Sequence, residues 1–177
     1  MPRSGADARH WPPANRSSPP SLSATCGLIV MPATDVVSDA NIVLKWFHQT
    51  GEEEVGPARE LLDRHRARNV IVHVLDLTFC EIGNALLRGR AGASAEQAAT
   101  VLGALRDICL VITPEHEDLA LAAGLADAHD VTFYGASYAA VAQRRRAPLV
   151  TLDRELLRAG LGSRPTDVLA RLRQPER

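Results

Sequence analysis

Val36-Val37-Ser38-Asp39-Ala40-Asn41-Ile42-Val43-Leu44-Lys45-Trp46-Phe47 reads as a short apolar strand that ends on a carboxylate and passes at once into a helix. Val36–Ser38 supplies the strand, and Ile42, Val43, Trp46 and Phe47 recur on one side of the helix that follows. A hydrophobic segment ending on Asp39 points to chemistry, because a carboxylate buried without a partner is costly. The pattern returns late in the chain, where Leu149-Val150-Thr151-Leu152 runs into Asp153. Between them Glu81 interrupts an apolar helix spanning Leu77 to Leu87.

The segments around these acids alternate. Helices are predicted over Ala40–His48, Ala58–Arg68 (with Pro57 in its first turn), Asp76–Arg88, Ala95–Asp107, Thr113 to about Ala128, Gly135–Arg145, Arg154–Ala159 and Thr166–Leu172. Strands are predicted at Val36–Ser38, Val70–Val74, Cys109–Ile112 and Pro148–Leu152, with Val131–Phe133 a short extended link. Ser94 and Gln97 form a capping box for the fourth helix. Strands separated by helices imply βαβ units and a parallel sheet.

In such a sheet ligands bind beyond the carboxyl ends of the strands. Asp39 and Asp153 both stand there, so they can converge despite their separation in sequence. Clustered carboxylates raise one another's pKa, and a hard divalent cation such as Mg²⁺ or Mn²⁺ would resolve the repulsion. Each acid also has an ordinary structural role open to it. Asp39 and Asp153 both suit a helix N-cap. Glu81 shares a stripe with Asn84 and Arg88 that fits the solvated face of an amphipathic helix.

The chain has 177 residues, 46% of them hydrophobic, with a net charge of −1. That is enough for one domain with a sizeable core, and near-neutrality leaves room for RNA contacts through a local arginine patch. Cys26, Cys80 and Cys109 lack CxxC spacing, which argues against a disulfide framework or zinc site; two read as small buried residues and one as part of a tail. No apolar run is long enough to span a bilayer, so a cytoplasmic location is expected. Residues 1–33, with Pro pairs at 12–13 and 19–20, read as a disordered tail. Met31 directly precedes the first strand and is a candidate true start.

At these residues the chain resembles the PIN-domain ribonucleases of the VapC toxin type, over about residues 35–172. Four motifs carry the resemblance in order: residues 36–47; Phe-Cys-Glu-Ile-Gly-Asn-Ala-Leu-Leu-Arg (79–88); Val-Thr-Phe-Tyr-Gly-Ala-Ser-Tyr-Ala-Ala-Val-Ala (131–142); and Ala-Pro-Leu-Val-Thr-Leu-Asp-Arg-Glu-Leu (147–156). The resemblance implies a three-layer α/β/α PIN-like fold over 34–173 and a central parallel sheet. It implies metal-dependent endonucleolytic cleavage of RNA with Mg²⁺ or Mn²⁺. Asp39, Glu81 and Asp153 would be the catalytic and metal-binding acids, with Asn41 and Thr151 supporting them. It further implies the toxin role in a type II toxin–antitoxin pair, a cognate VapB-type antitoxin and a homodimer.

The departure is at Gly135. The third motif of the family reads Tyr-Asp-Ala, and that Asp is a principal metal ligand; here it is Tyr134-Gly135-Ala136. Glycine offers no side-chain oxygen, so weaker metal affinity and slower turnover are expected. As a helix N-cap, Gly in place of Asp would cost only a few tenths of a kcal/mol, so the fold should survive. The alternative function is a catalytically silent PIN domain that only binds antitoxin or RNA. A phosphoaspartate receiver or haloacid-dehalogenase-like phosphatase would need a lysine late in the chain, and the only lysine is Lys45.

Arg88, Arg90, Arg144, Arg145 and Arg154 are candidate contacts to RNA phosphates, set against their usual reading as solvated residues that complement helix dipoles. Tyr134 could stack on a base or pack half-buried.

Overall fold

The computed structural model describes residues 33–47, 52–89 and 92–173. The expected tail and the proposed start at Met31 lie outside the described residues, apart from residue 33, and so do His48 and Arg90.

The elements run β1 (Thr34–Ser38), α1 (Ala40–Lys45), α2 (Val55–Arg66), β2 (Val70–Leu75), α3 (Leu77–Arg88), α4 (Ala95–Ile108), β3 (Leu110–Ile112), α5 (His116–His129), α6 (Phe133–Arg145), β4 (Leu149–Val150), α7 (Arg154–Arg158) and α8 (Pro165–Leu172). The four strands form one parallel sheet in the order β3-β2-β1-β4. Each crossover carries at least one helix, as parallel neighbours require.

Side chains on a strand alternate faces, and here both faces are covered. Val36, Val72 and Val150 pack with Ile42, Leu61 and Val168 from α1, α2 and α8. Val37, Leu75 and Leu149 pack with Ala122, Ala139 and Leu156 from α5, α6 and α7. The result is the expected α/β/α layering. Strand β1 lies in the middle of the sheet with Val36 and Val37 fully buried, so its carboxyl end delivers Asp39 to the centre of the molecule.

Local chemistry sets several boundaries. The capping box of α4 forms as expected: Gln97 N–H donates to Ser94 Oγ (3.2 Å) and Ser94 N–H to Gln97 Oε1 (2.9 Å). Helix α8 is held against α2, because the Glu54 carboxylate accepts from Thr166 N–H and Oγ1, and Arg173 pairs with Glu60 at 2.7 Å. Strand β4 is shorter than expected because its backbone is diverted. Thr151 N–H turns to Ser163 O, and Leu152 N–H to the Asn41 side chain.

Two expectations are corrected. Helix α6 begins at Phe133, not Gly135, because Thr132 is the N-cap: its Oγ1 accepts from Gly135 N–H at 3.1 Å. Gly135 is therefore a first-turn residue and not a cap, and its backbone is not in the left-handed region that favours glycine. Cys80 lies exposed on α3, whereas Cys109 is buried and its thiol is pushed up to about 12 by that burial.

Candidate metal and nucleic-acid site

Asp39 ends the central strand with its N–H bonded to Val150 O at 3.0 Å, which locks it to the end of β4. Although it occupies the N-cap position of α1, its side chain makes no capping hydrogen bond. Its Oδ2 instead accepts from Thr151 Oγ1 at 2.6 Å and from Asn41 Nδ2 at 2.7 Å. Thr151 is fully buried, and its Oγ1 also accepts from Asp153 N–H at 3.0 Å. Asn41 returns from α1 to accept Leu152 N–H at 3.0 Å. Asn41 and Thr151 thus tie two strand ends together around one carboxylate.

Asp153 does cap a helix. Its Oδ1 accepts from Glu155 N–H (2.7 Å) and Leu156 N–H (3.3 Å) at the start of α7. The cap uses one oxygen, and Oδ2 takes no part in it. Glu81 lies on α3 and is half-buried, while Asn84 and Arg88 on the same helix are exposed. The stripe read from sequence is therefore not uniformly solvated: its first member turns inward. Glu81 Oε2 accepts from Tyr138 Oη at 2.5 Å.

Asp39, Asn41, Glu81, Gly135, Tyr138 and Asp153 line one open cleft of about 280 Å³, together with Thr132 and Tyr134. Burial raises the Asp39 pKa above its usual value; the Thr151 hydrogen bond opposes this and the Asp153 charge adds to it. Burial likewise raises Glu81, with Tyr138 opposing and Asp39 adding. Burial thus disfavours the charged forms of Asp39 and Glu81, and a cation in the cleft would favour them.

The donors are carboxylate oxygens, the kind that Mg²⁺ or Mn²⁺ takes. Among the described residues, no three His, Cys, Asp or Glu side chains are gathered tightly enough to hold an ion by themselves. The set suits a cation held by one or two carboxylates with waters completing its shell, a common arrangement for Mg²⁺. Gly135 lines the same cleft. A Cβ built on Gly135 would lie 3.3 Å from Leu156 Cδ1, Leu156 Cδ2 and Thr132 Oγ1, so the space is tight but bounded by a flexible side chain and a hydroxyl.

Residues 36–161 match the family model of the PIN domain. The chain belongs to the PIN domain family. Among solved structures, this PIN domain is similar to PAE2754 from Pyrobaculum aerophilum, with 28% identity and a TM-score of 0.58 over 79% of this chain and 97% of that one. It is also similar to VapC20 from Mycobacterium tuberculosis, a toxin that cleaves the sarcin–ricin loop, with 20% identity and a TM-score of 0.56 over 71% and 95% of the two chains. VapBC-1 from nontypeable Haemophilus influenzae matches with 12% identity and a TM-score of 0.57 over 75% and 99%. At those two identities the likeness is one of fold. No curated protein matches the chain.

Among the described residues, none of the candidate arginines Arg88, Arg144, Arg145 and Arg154 lines the cleft of this PIN domain. Arg144 sits towards the far end of α6 and pairs with Asp118 at 2.8 Å and Glu115 at 3.6 Å on α5. Arg88, Arg145 and Arg154 are exposed, and Arg154 directly follows Asp153. Tyr134 stands 62% exposed on the wall of the cleft and is not packed away. Tyr138, absent from the residues singled out in the sequence, is the missed member of the site. The available signal was a lone hydroxyl-bearing ring in a buried alanine-rich stretch, Ala136 to Ala142, since a buried Tyr Oη needs a partner. Among the described residues, no helix is long and apolar enough to cross a membrane.

Proposed function

We propose that this PIN domain is a metal-dependent endoribonuclease of the VapC toxin type, reduced in activity by Gly135. The observation that carries the reading is the convergence of Asp39, Glu81 and Asp153, from three separate elements, on one cleft of a PIN fold. Mg²⁺ or Mn²⁺, when bound, would supply a bound water of lowered pKa and a counter-charge for a phosphodiester group. One or two of Asp39 (buttressed by Thr151 and Asn41), Glu81 and Asp153 would hold it directly, with waters completing its shell. Tyr134 on the wall of the cleft offers a stacking face for RNA, and the exposed Arg154, next in sequence to Asp153, a phosphate contact. Structures similar in fold include a toxin–antitoxin complex from Klebsiella pneumoniae, which supports a VapB-type antitoxin as partner. A cytoplasmic location and a homodimer belong to the same proposal.

The test is purified protein, free of antitoxin, incubated with structured RNA and Mn²⁺ beside the Gly135→Asp variant. Weak cleavage by the parent and strong cleavage by the variant are expected. Equal cleavage by both would remove Gly135 from the ligand set. Cleavage by neither, where a control nuclease works, would sink the nuclease reading. The second reading, a silent PIN domain that binds antitoxin or RNA, is favoured by Gly135 itself. It predicts RNA binding without cleavage by the parent.

A further inference from the structure

Helix α6 reaches the cleft with Tyr134 and Gly135 in its first turn and with Tyr138 one turn further on. Gly135 brings no functional group. Tyr138 is 1% exposed, and its hydroxyl lies between Glu81 Oε2 (2.5 Å) and Thr78 Oγ1 (2.8 Å). A phenol has one proton. Since Tyr138 gives it to the Glu81 carboxylate, the Thr78 hydroxyl must be the donor in the other bond. With Glu81 ionised, the order is Thr78 to Tyr138 to Glu81. Thr78 is 2% exposed and lies one turn before Glu81 on α3, so the bonds leave one helix, cross to the next and return.

We infer that Tyr138 is a positioning residue that holds the Glu81 carboxylate by one oxygen, with Thr78 fixing the direction of its hydroxyl, and leaves Glu81 Oε1 for a cation in the cleft. The inference rests on the proposed metal site, but its geometric core does not. A half-buried carboxylate on a flexible stem has several rotamers to choose from; an oriented donor in a packed wall selects one. Partners of this kind change metal affinity by about 10–100-fold when removed. With position 135 lacking a carboxylate, Glu81 and its support would carry more of the binding than a four-acid site requires.

The experiment compares the parent with Tyr138→Phe, Thr78→Val and Ser137→Ala. Ser137 Oγ donates to Phe133 O at 2.8 Å on the same helix and does not touch Glu81, so it reports a lost hydrogen bond without the support. Two readouts are taken: the Glu81 side-chain conformation in metal-free crystals, and Mn²⁺ affinity by calorimetry. Tyr138→Phe should release Glu81 and weaken Mn²⁺ binding by about tenfold or more, Thr78→Val should do so by less, and Ser137→Ala should do neither. If Glu81 keeps its place and the affinity is unchanged in Tyr138→Phe, the inference is overturned. If Tyr138→Phe does not fold, Thr78→Val decides by the same readouts: a released Glu81 supports the inference, and an unmoved one with unchanged affinity overturns it. Glu81 moving in Tyr138→Phe while no protein binds Mn²⁺ would keep the positioning role and reject the metal reading.

Discussion

Thr151 Oγ1 lies 2.6 Å from Asp39 Oδ2, a hydrogen bond between the end of β4 and the end of β1 made by a fully buried hydroxyl. The same oxygen accepts from Asp153 N–H, so one hydroxyl sets the spacing of two acids. Thr151→Val keeps the shape and removes the hydroxyl. It leaves the Asp153 N–H without its acceptor and Asp39 Oδ2 with Asn41 alone, a loss of about 1–3 kcal/mol. Denaturant unfolding should show that loss, while Thr151→Ser should recover most of it. A valine variant as stable as the parent would show that the bond contributes nothing net.

Space and charge at position 135 can be separated. Gly135→Ala adds the Cβ without the carboxylate. Helix propensity favours it by up to about 1 kcal/mol, and the 3.3 Å approach to Leu156 opposes it. Its stability should therefore stay within about 1 kcal/mol of the parent, with no gain in RNA cleavage. Gain of cleavage in Gly135→Ala equal to that in Gly135→Asp would mean that the carboxylate is not what the site lacks.

The raised carboxyls give the metal-free protein a signed pH dependence. Asp39 and Glu81 both bind protons more readily in the fold than in the unfolded chain. The stability they lend is full below the unfolded value of about 4 and is lost as pH rises through the raised folded values. Glu60, lowered chiefly by Arg173, acts in the opposite sense, so the comparison must be between variants. Asp39→Asn and Glu81→Gln should each flatten the fall of Tm above about pH 4 relative to the parent. Parallel Tm–pH curves for all three would refute the assignment.

Arg144 and Arg154 should differ in RNA binding. Arg144 is engaged with Asp118 on the α5 side of α6, whereas Arg154 adjoins Asp153. In fluorescence anisotropy at low salt, Arg154→Ala should weaken RNA affinity and reduce its salt slope by about one; Arg144→Ala should leave both unchanged. The reverse result would place the RNA path along the other end of α6.

The strand and the helix start in residues 36–45 could be read correctly because the signal is local: apolar residues end on a polar one and then change period. The Ser94–Gln97 capping box formed for the same reason. The first helix stops at Lys45, short of the expected His48, and Phe47 is exposed. Gly135 was misplaced within α6 because a threonine three residues earlier supplied the cap, and Thr132 carries no hydrophobic pattern to announce it. Asp153 and Asp39 look alike in sequence, yet only the first caps a helix. What distinguishes them is Thr151, brought to Asp39 by strand pairing. Tyr138 and Glu81 are 57 positions apart, and nothing in either local pattern encodes that they meet. Arg144 looked available to RNA until the packing of α5 against α6 supplied Asp118.

The leucine that leans on Gly135 stands in the way of any acid placed there. A glycine at that position leaves a hollow, and the two methyls of Leu156 stand at its edge. Any acid installed later would have to push them back by a few tenths of an ångström before its oxygens could be of use. Positions 135 and 156 are therefore coupled in space: the effect of changing one depends on the residue at the other.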